Sequence, residues 1–189
     1  YSNTWERGFD WEIPASVEML SFKGEPGFAA NAGLRVAGNE SRKVGWKKHS
    51  LRLNFRARYG DSNLTARVFE QSGHDQFSTL VLRSTDDSWV THDEDVLNNA
   101  QYIRDQWARD THRAMGRVSA RGRFAHVCIN GLYWGVYNLV ERPGDEFLAH
   151  QLGGKAEDYV VVRSRVREIE SDQDGEDAWN TICRLAQNK

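Results

Sequence analysis

The chain predicts an α+β domain, an antiparallel sheet carrying one long helix. Three observations lead there. Several short stretches alternate apolar and polar residues at the two-residue period of a half-buried strand. One longer stretch, residues 98–115, holds apolar side chains at helical spacing. The third is Cys128-Ile129-Asn130-Gly131-Leu132-Tyr133, which reads as a tight hairpin. Its two central positions need positive φ, which Asn and Gly tolerate. Strands that run together around a helix, instead of alternating with helices, favour an antiparallel sheet.

Taken in order, Ile13 to Leu20 alternates (Ile13, Ala15, Val17, Met19 on one face) and runs into a Gly24-Glu25-Pro26-Gly27 turn. Phe28 to Val36 gives a second strand, with Ala30, Ala32, Leu34 and Val36 together. Gly38 to Lys48 is polar, basic and glycine-containing, a loop. Ser50 to Arg56 points Leu51, Leu53 and Phe55 one way and Arg52, Asn54 and Arg56 the other. Asn63 to Glu70 suits a short helix or turn, and Phe77 to Arg83 a central strand. Asn98 to Met115 is the helix, with Ile103, Trp107, Ala108, Thr111, Ala114 and Met115 as its apolar stripe. Asn98 or Asn99 can cap its start, and Gly116 its end. Phe124 to Glu141 is the hairpin, stopped by Pro143. Asp145 to Leu152 is a short helix closed by Gly153-Gly154, Tyr159 to Arg163 a short strand, and Glu168 to Glu176 acidic and flexible. Ala178 to Ala186 reads as an amphipathic helix.

Composition narrows the function classes. The 189 residues suit one domain or one domain plus part of another, and 39% apolar content with seven Trp supports a folded core. A net charge of −2 argues against a general nucleic-acid binder. No apolar run is long enough to span a membrane, and there is no signal peptide. The chain opens on Tyr1 in mid-pattern and its last helix has no stop signal, so both ends read as cut. The two cysteines make no disulfide framework, and Cys128, inside a hairpin strand, is expected as a buried free thiol.

Chemistry-bearing candidates are few. Arg42-Lys43-Val44-Gly45-Trp46-Lys47-Lys48-His49-Ser50-Leu51-Arg52 places fixed cations and backbone N–H groups where a polyphosphate could sit. A solvated basic edge is the plain alternative. The acidic loop Asp86 to Asp95 has the ligand chemistry for Mg²⁺ or Ca²⁺ but no EF-hand spacing, and Asp172-Gln173-Asp174-Gly175-Glu176-Asp177 lacks the later bidentate Glu. No Walker or kinase glycine loop occurs. The six histidines sit beside no nucleophile, so a hydrolase triad gains no support.

Several segments together resemble the spore coat protein H (CotH) kinase family. Ile129-Asn130-Gly131-Leu132-Tyr133-Trp134-Gly135-Val136-Tyr137-Asn138-Leu139-Val140-Glu141 is similar to its INGxYWGxYNLxE signature, and Lys47-Lys48-His49-Ser50-Leu51-Arg52-Leu53-Asn54-Phe55-Arg56 to its KKSFRLxFR strand. Tyr59-Gly60-Asp61-Ser62, Leu80 to Trp89 and Tyr102 to Arg109 follow in the family's order, so the resemblance runs from about Trp5 to about Ala186.

The resemblance implies a secreted or spore-surface protein kinase of atypical fold, using ATP and Mg²⁺ to phosphorylate a coat or envelope protein. Residues 1–143 would form a small lobe reaching the hinge, and 144–189 the start of a helical large lobe. In that frame Lys48 and Arg52 grip the nucleotide phosphates. Asp105 on the regulatory helix pairs with the lysine or arginine, and Glu141 near the hinge meets adenine or ribose. A surface helix ion pair for Asp105, and a pairing of Glu141 with Arg142 or a loop, are the structural alternatives. The family's later acidic motifs, of the Asp-Arg and Trp-Asp-x-Asp kind, are not in this chain. The piece alone is therefore expected to transfer no phosphate. A non-catalytic kinase-like module for adhesion or assembly, using exposed aromatics such as Trp89 and Trp134, is the other reading.

Overall fold

A computed structural model describes residues 3–21, 24, 26–38, 40–44, 48–70, 73–84, 102–162, 169–170 and 173–187. The chain divides into two compact units, Tyr1–Arg142 and Pro143–Lys189.

The first unit is built on a six-stranded antiparallel sheet. Its strands are β1 (Ile13–Met19), β2 (Phe28–Ala37), β3 (Ser50–Asn54), β6 (Thr79–Arg83), β7 (Gly122–Ile129) and β8 (Leu132–Glu141), in the order β1-β2-β3-β6-β8-β7. Two short strands, β4 (Leu64–Thr65) and β5 (Gln76–Phe77), pair separately. Helix α1 spans Arg104–Ala114.

Alternation decides which face is dry. Leu34, Leu53, Leu80 and Leu139 share one face. The connection from β3 to β6 folds over it and contributes Leu64, Val68, Phe69 and Phe77 to the core. The stretch expected as a helix or turn at 63–70 is therefore a two-residue strand followed by an irregular segment that buries Val68 and Phe69. The strand expected over 77–83 is broken at Ser78. Residues 76–77 pair with β4, and 79–83 enter the main sheet.

The hairpin forms as its turn chemistry demands, with Asn130 at φ 51° and Gly131 at φ 79°. A bulge at Val127/Cys128 twists its outer end. Cys128 is exposed, against the expectation of a buried thiol, because β7 is an edge strand and its 124–126–128 side faces outward. Cys183 is also a free thiol.

Of the helix expected over 98–115, residues 98–101 lie outside the described residues and Tyr102–Ile103 form a turn; α1 runs from Arg104 to Ala114. Gly116, at φ 71°, supplies the left-handed turn just past its end. Asn98 and Asn99 lie outside the described residues. Its stripe does not face the sheet: Ile103, Trp107 and Met115 are 63%, 66% and 60% exposed, and Gln106 is its buried residue. The sheet surface beneath it sets Arg83 and Asn138 beside Val81 and Val140, and hydrogen bonds to the polar pair join the helix to the sheet.

The second unit contains α2 (Asp145–Leu152), a 3₁₀ turn at Ala156–Asp158, the pair β9 (Val161–Val162) and β10 (Ile169–Glu170), and α3 (Gln173–Gln187). Gly153 at φ 84° and Gly154 at φ 83° close α2. The acidic segment expected to be flexible thus contributes β10 and the first turn of α3, while of the strand expected over 159–163 residues 161–162 form β9, 159–160 do not, and 163 lies outside the described residues.

Candidate functional site: the polar face beneath helix α1

Register places the functional side chains. Arg35 on β2 stands opposite Arg52 on β3, Arg52 opposite Val81 on β6, and Arg83 opposite Asn138 on β8. Residues directly opposite in a ladder share a face, so Arg35, Arg52, Arg83 and Asn138 all stand on the side away from the core. Arg83 is the diagonal neighbour of Arg52, roughly 7–8 Å from it.

At one end of this face the Glu12 carboxylate is buried across β2, above Gly33, where a Cβ would lie 2.3 Å from it. It accepts from Asn54 Nδ2 at 2.7 Å and Arg56 Nε at 3.1 Å, with Arg35 Nε at 3.9 Å. At the other end Asp105 of α1 holds Arg83, Oδ2 to Nη2 at 2.5 Å, with Arg109 Nη1 at 4.0 Å. Burial first, then the Arg83 charge, lowers the Arg109 pKa, against the pull of Asp105 and Asp110. The Arg83 and Asp105 side chains remain 37% and 42% exposed, so this pair is open to a solute.

Asp105 therefore does meet a basic strand residue, but the cation is Arg83 of β6 and not the expected Lys48 or Arg52. Lys48 is turned inward. Its ammonium donates to the Val136 carbonyl, which the Tyr102 hydroxyl also reaches, and it lies 4.0 Å from the centroid of the Tyr137 ring. β8 pairs with β6 only from Asn138 onward, which leaves that carbonyl beyond the end of β6. Burial lowers the Lys48 pKa.

Glu141 stands apart from all of these. It lies on the core side, 2% exposed, bonded by Arg121 Nη2 at 2.7 Å and by the Arg121 backbone N–H at 2.6 Å. The expected contact with a nucleotide does not fit that position, because both carboxylate oxygens are committed inside the unit. Arg42, from the basic loop, is likewise buried. Its guanidinium donates to the carbonyls of Thr4, Glu6, Gly38 and Val36, which makes it a brace for the loop. Gly45, Trp46, Lys47, the acidic loop Asp86 to Asp95 with Trp89, and Asp172 lie outside the described residues. Among the described residues no group of three or more His, Cys, Asp or Glu stands close enough to hold a metal ion.

Arg83, Arg35, Glu12, Asn138, Gln106 and Arg109 were not assigned from sequence. Period-2 alternation does put Arg83 and Val81 on one side of their strand, but only the pairing with β3 and β8 shows what else stands there.

A family model described as CotH kinase protein matches residues 34–183. No curated protein matches the chain.

Proposed function

The chain belongs to the CotH kinase protein family, and on that premise we propose that its first unit grips the phosphates of ATP for phosphoryl transfer to protein Ser/Thr. The observation that carries this reading is the Arg83–Asp105 pair, a strand cation held by a helix carboxylate at 2.5 Å. Protein kinases grip nucleotide phosphates with a strand lysine held by a helix glutamate. A guanidinium offers the same charge with forked donors that match phosphate oxygens. Arg52, on the same face, supplies the second cation.

The donor set fits a polyphosphate. The Mg²⁺ that accompanies ATP finds no matching ligand cluster among the described residues, so these side chains are assigned to binding and orientation alone. For this chain the proposal is confined to ATP binding. A coat or envelope protein is the proposed acceptor, and the spore or cell surface the proposed location.

The test is ATP binding by the chain, followed by calorimetry. Arg83→Ala and Arg52→Ala should each weaken it by about tenfold or more, the loss of a charge-assisted hydrogen bond. Unchanged affinity in both folded variants removes the two arginines from the site. The exposed hairpin tip, with Leu132 at 68%, Tyr133 at 61% and Trp134 at 48%, favours a second reading, a non-catalytic adhesion or assembly module. A folded chain that binds no nucleotide would support that one.

A further inference from the structure

Helix α1 meets the sheet through a closed triangle of side chains. Asn138 is 1% exposed and has both ends of its amide engaged. Its Nδ2 donates to Gln106 Oε1 at 2.9 Å, and its Oδ1 accepts from Arg109 Nη2. Arg109 Nη2 closes the figure by donating to Gln106 Oε1 at 3.1 Å. Gln106 in turn donates to Asp110 Oδ1 at 2.9 Å. The approach is close because Gly122, beside Asn138's strand, has no Cβ; one there would lie 2.3 Å from Gln106 Oε1.

Two neighbouring strand residues are thereby matched to neighbouring helix residues. Arg83 and Asn138 are direct register partners on β6 and β8. Arg83 takes Asp105, and Asn138 takes Gln106 and Arg109. Successive helical residues are about 100° apart around the axis, so the amide of Asn138 sets the rotation of α1, and that rotation decides whether Asp105 faces Arg83. An apolar stripe would ordinarily set it, but here the stripe points to solvent.

We propose that Asn138 is a positioning residue for the Arg83–Asp105 pair, acting through Gln106 and Arg109. Its consequence for nucleotide affinity rests on the function proposed above; its effect on the pair does not.

The experiment follows the side-chain Nε–Hε signal of Arg83 by NMR in the nucleotide-free chain, identified by its loss in Arg83→Lys. Asp105→Asn defines where that signal lies when the pair is broken. Asn138→Ala should move it to the same place while the backbone amide pattern persists, and should weaken ATP binding about as much as Asp105→Asn does. Where Asn138→Ala does not fold, Gln106→Ala removes the same triangle and is read in the same way. An Arg83 signal left at its native position in a folded variant overturns the proposal. A displaced signal in a chain that binds no ATP upholds the positioning role and overturns the nucleotide reading instead.

Discussion

Arg121 and Glu141 form a closed ion pair inside the first unit, with both side chains 2% exposed and Nη2 to Oε1 at 2.7 Å. The two residues also exchange a backbone bond, Glu141 N–H to Arg121 O at 3.0 Å. Arg121 Nη2 reaches the His74 carbonyl at 2.5 Å, and its guanidinium lies 5.1 Å from the Phe69 ring and 5.6 Å from that of Phe77. The pair thus ties the base of the hairpin to the segment that covers the core.

Removing one partner of such a pair leaves a buried charge uncompensated. Glu141→Gln or Arg121→Met is expected to destabilise the chain by about 3–5 kcal/mol in urea unfolding. The double variant Arg121→Met/Glu141→Leu should recover most of that loss, since apolar replacement of a buried pair is often neutral or better. If Glu141→Gln leaves stability intact and instead weakens ATP binding, the carboxylate belongs to the site after all.

Arg83–Asp105 is the opposite case. With both side chains more than a third exposed, solvent screening limits the pair to about 1 kcal/mol or less. Asp105→Asn should barely shift the urea midpoint while lowering ATP affinity. A large stability loss would mean that the pair serves mainly to hold α1 down.

Lys48 should leave a mark on alkaline stability. Burial lowers its pKa below the ordinary 10.5, so between the lowered value and 10.5 the unfolded chain holds the extra proton. Stability then rises with pH across that window and is lost again as pH falls through the folded value. In Lys48→Met this rise should be missing, compared by urea unfolding at successive pH values. An identical slope in both proteins would show that the lysine is not desolvated.

Tyr137 acts in the other direction. Burial, with a smaller contribution from Tyr102 and against a hydrogen bond with Trp134, pushes its phenol up to about 12. Its hydroxyl donates to the His49 carbonyl at 3.1 Å. From the ordinary value of 10.0 to about 12 the folded chain keeps a proton that the unfolded chain has lost, so this stabilising contribution fades as pH rises. Absorbance at 295 nm should show a late-titrating component that Tyr137→Phe removes. Tyrosine titration that is complete well before pH 12 in the folded chain would contradict the burial.

The turn offers a local test. Asn130, at φ 51°, is the one non-glycine among the described residues with positive φ. Asn130→Ala should cost about 1–2 kcal/mol, the left-handed penalty of an ordinary residue, whereas Asn130→Gly should be nearly neutral. Equal stability of the alanine and glycine variants would place the hairpin's register elsewhere, for instance in the bulge.

Local patterns carried much of the fold. Alternation located β1, β2 and β3, and the paired demands of Asn130 and Gly131 located the hairpin, because both depend on residues close in the chain. The helix around Trp107 was legible for the same reason. Its orientation was not. An apolar stripe on one helix face implies a partner surface, yet the stripe cannot say that the nearest sheet face is lined by Arg83 and Asn138.

The candidate site divides along the same line. Basic residues on a strand and a carboxylate on a helix could be read directly from the chain; Arg52 lies on the sheet face away from the core, and Asp105 on α1. Which cation meets Asp105 was settled by cross-strand register, which put Arg83 beside Asn138 and sent Lys48 under the hairpin. Glu141 shows the same limit. Its place at the end of a strand was plain, but a strand end is buried or open according to what packs over it, and Arg121 and His74 come from elsewhere in the chain. The α+β class, the hairpin and the family resemblance follow from periodicity, turn chemistry and motifs, all of them local in the chain. Which charges meet depends on contacts between residues far apart in it.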